Sequence, residues 1–103
     1  MTLTPEVTLY ACCIEWSEDL IIDPAVFIAQ TEDEVYAETR RRIEEMHGSI
    51  ADGVLRGDHA EGHEYVKGEG AAVTDNKAWY EQYHEITGMS WLTYEPVTLK
   101  IIH

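Results

Sequence analysis

Basic residues are scarce in this chain and absent from its first third. The 103 residues include seven Lys and Arg against twenty Asp and Glu, which gives a formal net charge of −13. Residues 1–39 contain nine carboxylates and no Lys or Arg. Nucleic acids and anionic membranes bind proteins through clustered basic side chains, so we expect neither of them as a direct partner.

Cysteines and long hydrophobic runs are also few. The only two cysteines, Cys12 and Cys13, are adjacent in the sequence. Neighbouring side chains of a strand point to opposite faces, so we expect two reduced thiols rather than a disulfide. Residues 1–6 lack the basic and apolar regions of a signal peptide, and no apolar run is long enough to cross a bilayer. We therefore expect a cytoplasmic protein.

The chain nevertheless has enough apolar material to fold. Hydrophobic residues make up 45% of it, including three Trp, six Tyr and one Phe. A chain of this length fits one hydrophobic core, since two separate domains would each be short of buried surface. We predict a single domain over residues 1–103.

Three regions have the β-branched and aromatic composition of strands. They are residues 7–16, residues 20–29, and residues 91–94 together with 97–102 on either side of Glu95-Pro96. Ser17-Glu18-Asp19 is predicted to form a hairpin loop between the first two. Pro24 lacks an N–H group, so the second strand is predicted to lie at a sheet edge.

Two helices are indicated by their end signals. Thr31 and Glu34 have the spacing of a capping box, and Gly48 is predicted to end that first helix. Its predicted buried face is Val35, Thr39, Ile43 and Met46. Thr74-Asp75-Asn76 is predicted to cap a second helix, which ends at Gly88. Its predicted buried face is Trp79, Tyr83 and Ile86.

Residues 49–73 are predicted to be an irregular, Gly-rich insertion with a small strand at 64–67. The whole pattern predicts an α+β fold, a small antiparallel sheet of three or four strands in the order β-β-α-α-β, with two helices packed on one face. The last strand is predicted to lie beside the first.

The first strand is apolar on both faces, which has a functional consequence. Val7, Leu9, Ala11 and Cys13 form one face, and Tyr10, Ile14 and Trp16 form the other. Helices on one side of the sheet leave the second face uncovered. We expect the Tyr10, Ile14 and Trp16 face to dock a partner or to form a homodimer.

Potential metal ligands are concentrated in one segment, where His59 and His63 are four residues apart and Glu64 follows. The segment lacks the internal Glu of a zinc protease motif, and Gly62 weakens a helix that would align the two rings. We treat these residues as weak metal candidates. A metal-binding module centred on His59 and His63 is an alternative function.

No catalytic constellation stands out. His84 and Ser90 have no spacing that places them together, and mid-strand cysteines have no neighbouring base. The glycines fit no nucleotide-binding motif, so we expect no cofactor and no enzymatic activity. Arg40, Arg41 and Arg42 are predicted to pair along the helix with Glu44, Glu45 and Glu38.

The carboxylates remain to be explained. Their number approaches the number of charges on a DNA duplex as long as a domain of this size. In size and charge the chain resembles the small acidic counter-defence proteins of phages and plasmids, such as antirestriction and anti-CRISPR inhibitors, although no motif carries the resemblance. The resemblance implies a DNA-mimicking protein that occludes the basic surface of a partner protein. Such a surface includes one that binds nucleic acid. The predicted binding residues are Tyr10, Ile14, Glu15, Trp16, Glu18, Asp19 and Asp23. A dimeric cytosolic accessory subunit is a further alternative.

Overall fold

The structure is a computed structural model that describes residues 6–17, 23–51 and 60–100. The predicted hairpin loop at Glu18 and Asp19 lies outside these residues, as does His59. The elements are β1 (Glu6–Trp16), β2 (Ala25–Ala29), α1 (Glu32–Ala51), α2 (Ala60–Lys67), a 3₁₀ helix (Glu69–Ala72), α3 (Asn76–Thr87) and β3 (Ser90–Lys100). Within the described part, no helix is long and apolar enough to cross a membrane.

The three strands form one antiparallel sheet in the order β2-β1-β3. This confirms the α+β class, the edge position of β2 and the pairing of the last strand with the first. β3 is one continuous strand, in register with β1 from Ser90 opposite Trp16 to Lys100 opposite Glu6. Pro96 does not interrupt it, because a strand at a sheet edge has one side free of ladder hydrogen bonds.

Helix α1 begins as predicted and ends later. The Thr31 hydroxyl accepts a hydrogen bond from the Glu34 N–H at 3.2 Å, and the Glu34 carboxylate accepts one from the Gln30 N–H at 2.9 Å. The prediction that Gly48 ends the helix is wrong, because α1 continues to Ala51. The preceding turn is held by His47, which is buried with its Nε2 atom 2.6 Å from the Tyr83 hydroxyl.

Helix α3 has the predicted ends. The Asp75 side chain accepts a hydrogen bond from the Lys77 N–H, and Gly88 ends the helix with φ +59°, a left-handed conformation that glycine adopts without strain. Its predicted buried face is wrong at Ile86, which is 57% exposed because the last turn extends beyond the core. Tyr80 is buried instead, beside Trp79.

The predicted insertion contains regular structure where it is described. Residues 64–67 belong to α2, so the prediction of a strand there is wrong. The following 3₁₀ helix is tied to α1 by Arg40, whose guanidinium donates to the carbonyl oxygens of Val73 and Ala71 and lies 4.9 Å from the Trp79 ring centre. Gly70 is needed there, because a Cβ atom would lie 2.6 Å from the Tyr65 ring.

The helices cover the face of β1 that carries Tyr10, Cys12, Ile14 and Trp16, which we name the covered face. Ile14 is fully buried, and Trp16 packs against a cluster made by Ile43, Trp79, Tyr80, Tyr83 and Met89. The prediction that this face is left uncovered is therefore wrong. Its side chains are bulkier than those of the opposite face, and they fill the space beneath α1 and α3. The opposite face, which we name the open face, has no helix on it within the described residues.

Substitutions on the two faces are expected to differ in cost. Ile14→Ala removes buried methyl groups and leaves a cavity, so we expect the free energy of unfolding to fall by about 2–5 kcal/mol. Ile28→Ala on the open face is the matched control, with an expected change within about 1 kcal/mol. Urea unfolding of both variants measures the difference. A larger loss for Ile28→Ala would contradict the assignment of the faces.

The tyrosine-rich core predicts loss of stability in alkali. Burial raises the pKa of Tyr65, Tyr80 and Tyr83 above the value of about 10 of an unfolded chain. Their contribution to the free energy of unfolding is complete below pH 10. It is lost as the pH rises further, because the unfolded chain then releases protons that the folded protein keeps. We expect urea midpoints to be equal at pH 8 and 9 and to fall by pH 11, with a smaller fall in Tyr83→Phe. A constant midpoint up to pH 11 would contradict this.

Candidate functional site

The open face is an apolar surface that the fold leaves exposed. Val26 and Ile28 on β2 are 74% and 67% exposed, and Trp91 on β3 is 45% exposed. The strand register places twelve side chains on this face: Val7, Leu9, Ala11, Cys13 and Glu15 of β1, Val26 and Ile28 of β2, and Trp91, Thr93, Glu95, Val97 and Leu99 of β3. Exposed apolar side chains this closely grouped are typical of binding surfaces.

Small residues in the middle of the open face form a shallow groove. Ala11 lies between Ile28 and Glu95, and Cys13 lies in the next row, which begins with Val26. The groove has a volume of about 400 Å³. Its lining includes the Glu95 carboxylate at one wall and Val26 at the other.

Within the three strands as described, the charge of the open face is acidic. Glu15 and Glu95 are the only charged side chains that the register of these residues places on it, and no Lys or Arg of these strands lies there. Glu15 is directly opposite Trp91 in the register, and the Trp91 ring lies edge-on to His84 of α3 with 6.1 Å between the ring centres. An indole ring and a carboxylate on neighbouring strands each attract a cation, the first by its ring quadrupole and the second by its charge.

The structure separates the residues that the sequence predicted to bind a partner. Tyr10 packs edge-on against Tyr94 on the covered face, and Ile14 and Trp16 lie in or against the core. Glu15 alone of these four lies on the open face. Glu15 and Trp16 cannot act together because adjacent residues of a strand point to opposite sides of the sheet.

Asp23, the one other acidic residue of the predicted set that the structure describes, does not join Glu15. Asp23 lines a recess of about 400 Å³ together with Trp16, Arg41 and Arg42, so basic side chains lie close to it. Glu18 and Asp19 lie outside the described residues. Among the predicted partner-binding residues that the structure describes, only Glu15 lies on the open face.

The predicted ion pairs of α1 are present. Arg40 contacts Glu44 at 2.8 Å, Arg41 contacts Glu45 at 2.9 Å, and Arg42 contacts Glu38 at 3.1 Å. Arg41 also hydrogen-bonds to Glu38, and this contact is the main cause of the lowered pKa of that carboxyl group. These three acids are therefore balanced inside the helix and add little to the field that a partner meets.

The metal and catalytic candidates do not form a site in the described residues. His59 and the His63 side chain lie outside them, and Glu64 is exposed on α2. No group of three metal-ligand side chains occurs in the part of the chain that is described. His84 donates from Nδ1 to the Ser90 carbonyl oxygen at 2.6 Å, a main-chain contact that links α3 to β3 and does not involve the Ser90 hydroxyl.

Sequence reasoning missed Val26, Ile28, Trp91 and Leu99 as surface residues. The signal that identifies the open face lies on β3, where Thr93 and Glu95 are too polar for a core. Once the register is known, these two polar residues identify the face of β1 that is exposed to solvent, because paired residues share a face. Comparison with protein-family models, with curated proteins and with solved structures found no match.

The two cysteines report on the two faces. Cys12 is buried on the covered face, and burial raises the pKa of its thiol, whereas Cys13 is half-buried beside the groove of the open face. We expect iodoacetamide at pH 8 to modify Cys13 at least ten times faster than Cys12, because alkylation needs an accessible thiolate. Peptide mass spectrometry over time measures both rates. Cys13→Ser should lose the fast phase, and equal rates at the two thiols would contradict the assignment.

Proposed function

We propose that this chain is a small, acidic, non-enzymatic protein that binds a basic partner protein and occludes its basic surface. The observation that carries the proposal is the open face, an exposed apolar surface on which the charged side chains of the described strands are carboxylates. Such a face is complementary to a partner surface with an apolar centre and Lys or Arg around it. The resemblance in size and charge to small acidic inhibitors likewise implies a basic target surface.

Affinity is expected to come mainly from the apolar side chains. Val26, Ile28 and Trp91 protrude from the face, and burying a side chain of this size contributes about 1.5–3 kcal/mol. Tryptophan is the residue most often found at the energetic centre of interfaces. The groove beside Ala11 and Cys13 adds a place for one side chain of the partner.

Charge is expected to control specificity and the rate of association. The net charge of −13 repels nucleic acid and attracts a basic protein at low salt. Glu15 with Trp91, and Glu95 beside the groove, provide two positions for cationic side chains of the partner. A protein whose basic surface binds nucleic acid would lose that ligand when this chain covers the surface. The proposal therefore includes competition with DNA or RNA.

The test uses two variants with the same net charge. Glu15→Lys with Glu95→Lys reverses both charges of the open face, and Glu81→Lys with Glu85→Lys reverses two exposed charges of α3. Each pair changes the net charge from −13 to −9, since each substitution adds two positive units. We expect the immobilised wild type and the α3 variant to capture a basic protein from lysate at low salt. The open-face variant should lose at least nine tenths of it.

The captured protein then allows a direct competition assay. We expect the free chain to displace a labelled nucleic acid from that protein, and Trp91→Ala to weaken the displacement by a factor of ten or more. Three results would contradict the proposal. They are capture of no basic protein, equal loss in both charge variants, and a captured protein that keeps its nucleic acid at saturating amounts of this chain.

A further inference from the structure

The two edges of the sheet differ in whether their outward main-chain N–H and C=O groups are hydrogen-bonded. On β3, the Tyr80 hydroxyl accepts a hydrogen bond from the Leu92 N–H at 2.7 Å, and His84 donates to the Ser90 carbonyl oxygen. The main-chain N–H and C=O groups of successive strand residues point to alternate sides. Those of Ser90 and Leu92, and the C=O of Pro96, therefore all point away from β1. Helix α3 therefore caps the start of this edge, and Pro96 removes a donor from its middle.

The edge of β2 has no such protection in the described residues. The same alternation directs the N–H and C=O groups of Ala25, Phe27 and Ala29 to β1, and those of Val26 and Ile28 away from it. No described group hydrogen-bonds to the outward groups of Val26 and Ile28. Unpaired groups on a β-branched edge strand are a template for a further strand.

Opposite charges balance on the surface beside this edge. A groove of about 560 Å³ runs between β2 and α1, and its charged lining residues are Glu34, Glu38, Arg41 and Arg42. Two acids face two bases there, whereas the two charged side chains of the described strands on the open face are both acids. Two copies of a protein with net charge −13 repel one another, and a contact along this strip adds no net charge of its own to that repulsion.

We propose that two copies of this chain associate through their β2 edges, in antiparallel fashion about a twofold axis that passes beside Phe27. Val26 of one copy exchanges main-chain hydrogen bonds with Ile28 of the other. The twofold axis repeats this exchange between Ile28 of the first copy and Val26 of the second. The two α1 helices then run antiparallel across the axis, which brings Glu34 of one copy towards Arg41 of the other. Pro24, with no N–H, limits the ladder to this short segment.

The arrangement leaves the open face available. Side chains of Val26 and Ile28 from both copies become the centre of one six-stranded sheet, whose apolar middle is flanked by the acidic side chains of each copy. Self-association at the edge and partner binding at the face thus use different groups, main chain for the first and side chains for the second. A result that disproves self-association at the edge therefore leaves the proposal of partner binding at the open face standing, and the converse also holds.

The test separates main chain from side chain. Ile28→Pro removes the outward N–H group, as Pro96 does on β3, while Ile28→Thr keeps it and makes the side chain polar. We expect sedimentation equilibrium at micromolar concentration to give twice the 11.8 kDa chain mass for the wild type and for Ile28→Thr, and the monomer mass for Ile28→Pro. A monomeric wild type, or a dimeric Ile28→Pro that is folded by circular dichroism, would overturn the proposal.

A charge exchange provides a second test that leaves β2 unchanged. Arg41→Glu places acids on both sides of the twofold contact, and we expect the dimer dissociation constant to rise at least tenfold. Adding Glu34→Arg restores the opposite charges across the axis and should recover most of that loss. If the double variant is no better than Arg41→Glu, the two helices do not face each other in this way and the proposed geometry is wrong.

Discussion

The antiparallel register between β1 and β3 is the constraint on which the rest of the structure depends. It joins the two longest strands over eleven residue pairs and decides which residues share a face. Ser90, Leu92 and Tyr94 fall on the side of Ile14, where α1 and α3 complete a core around Trp79 and Tyr83. Thr93 and Glu95 fall on the other side, which stays exposed. A shift of one residue would bury Glu95 and expose Leu92.

Much of the fold could be predicted because local signals agreed. The capping box of α1, the ends of α3 and the edge position of β2 follow from side chains that act within a few residues of themselves. The identity of the core face could not be predicted, because β1 is apolar on both sides and only long-range pairing distinguishes them. The predicted binding residues were grouped across both faces for the same reason, and Glu15 is the one described strand residue among them that lies on the exposed face.

The acidic character of the chain has several separate structural roles. Glu34 caps α1, and Glu38, Glu44 and Glu45 pair with the arginines that follow the capping turn. Only the remaining carboxylates contribute to a field that a partner meets, and two of them lie on the apolar open face. The feature that distinguishes this protein is therefore the coincidence of exposed apolar area and unbalanced negative charge on one side of a thin sheet.

The measurement that tests this account most directly is the accessibility of methyl groups to a soluble nitroxide, followed by NMR. We predict strong broadening of the methyl signals of Val26, Ile28 and Leu99 on the open face. The methyl signals of Ile14, Val35 and Ile43 should be unaffected, since all three side chains are fully buried. Broadening of Ile14 together with protection of Ile28 would contradict the account, because the face proposed for binding would then be the core.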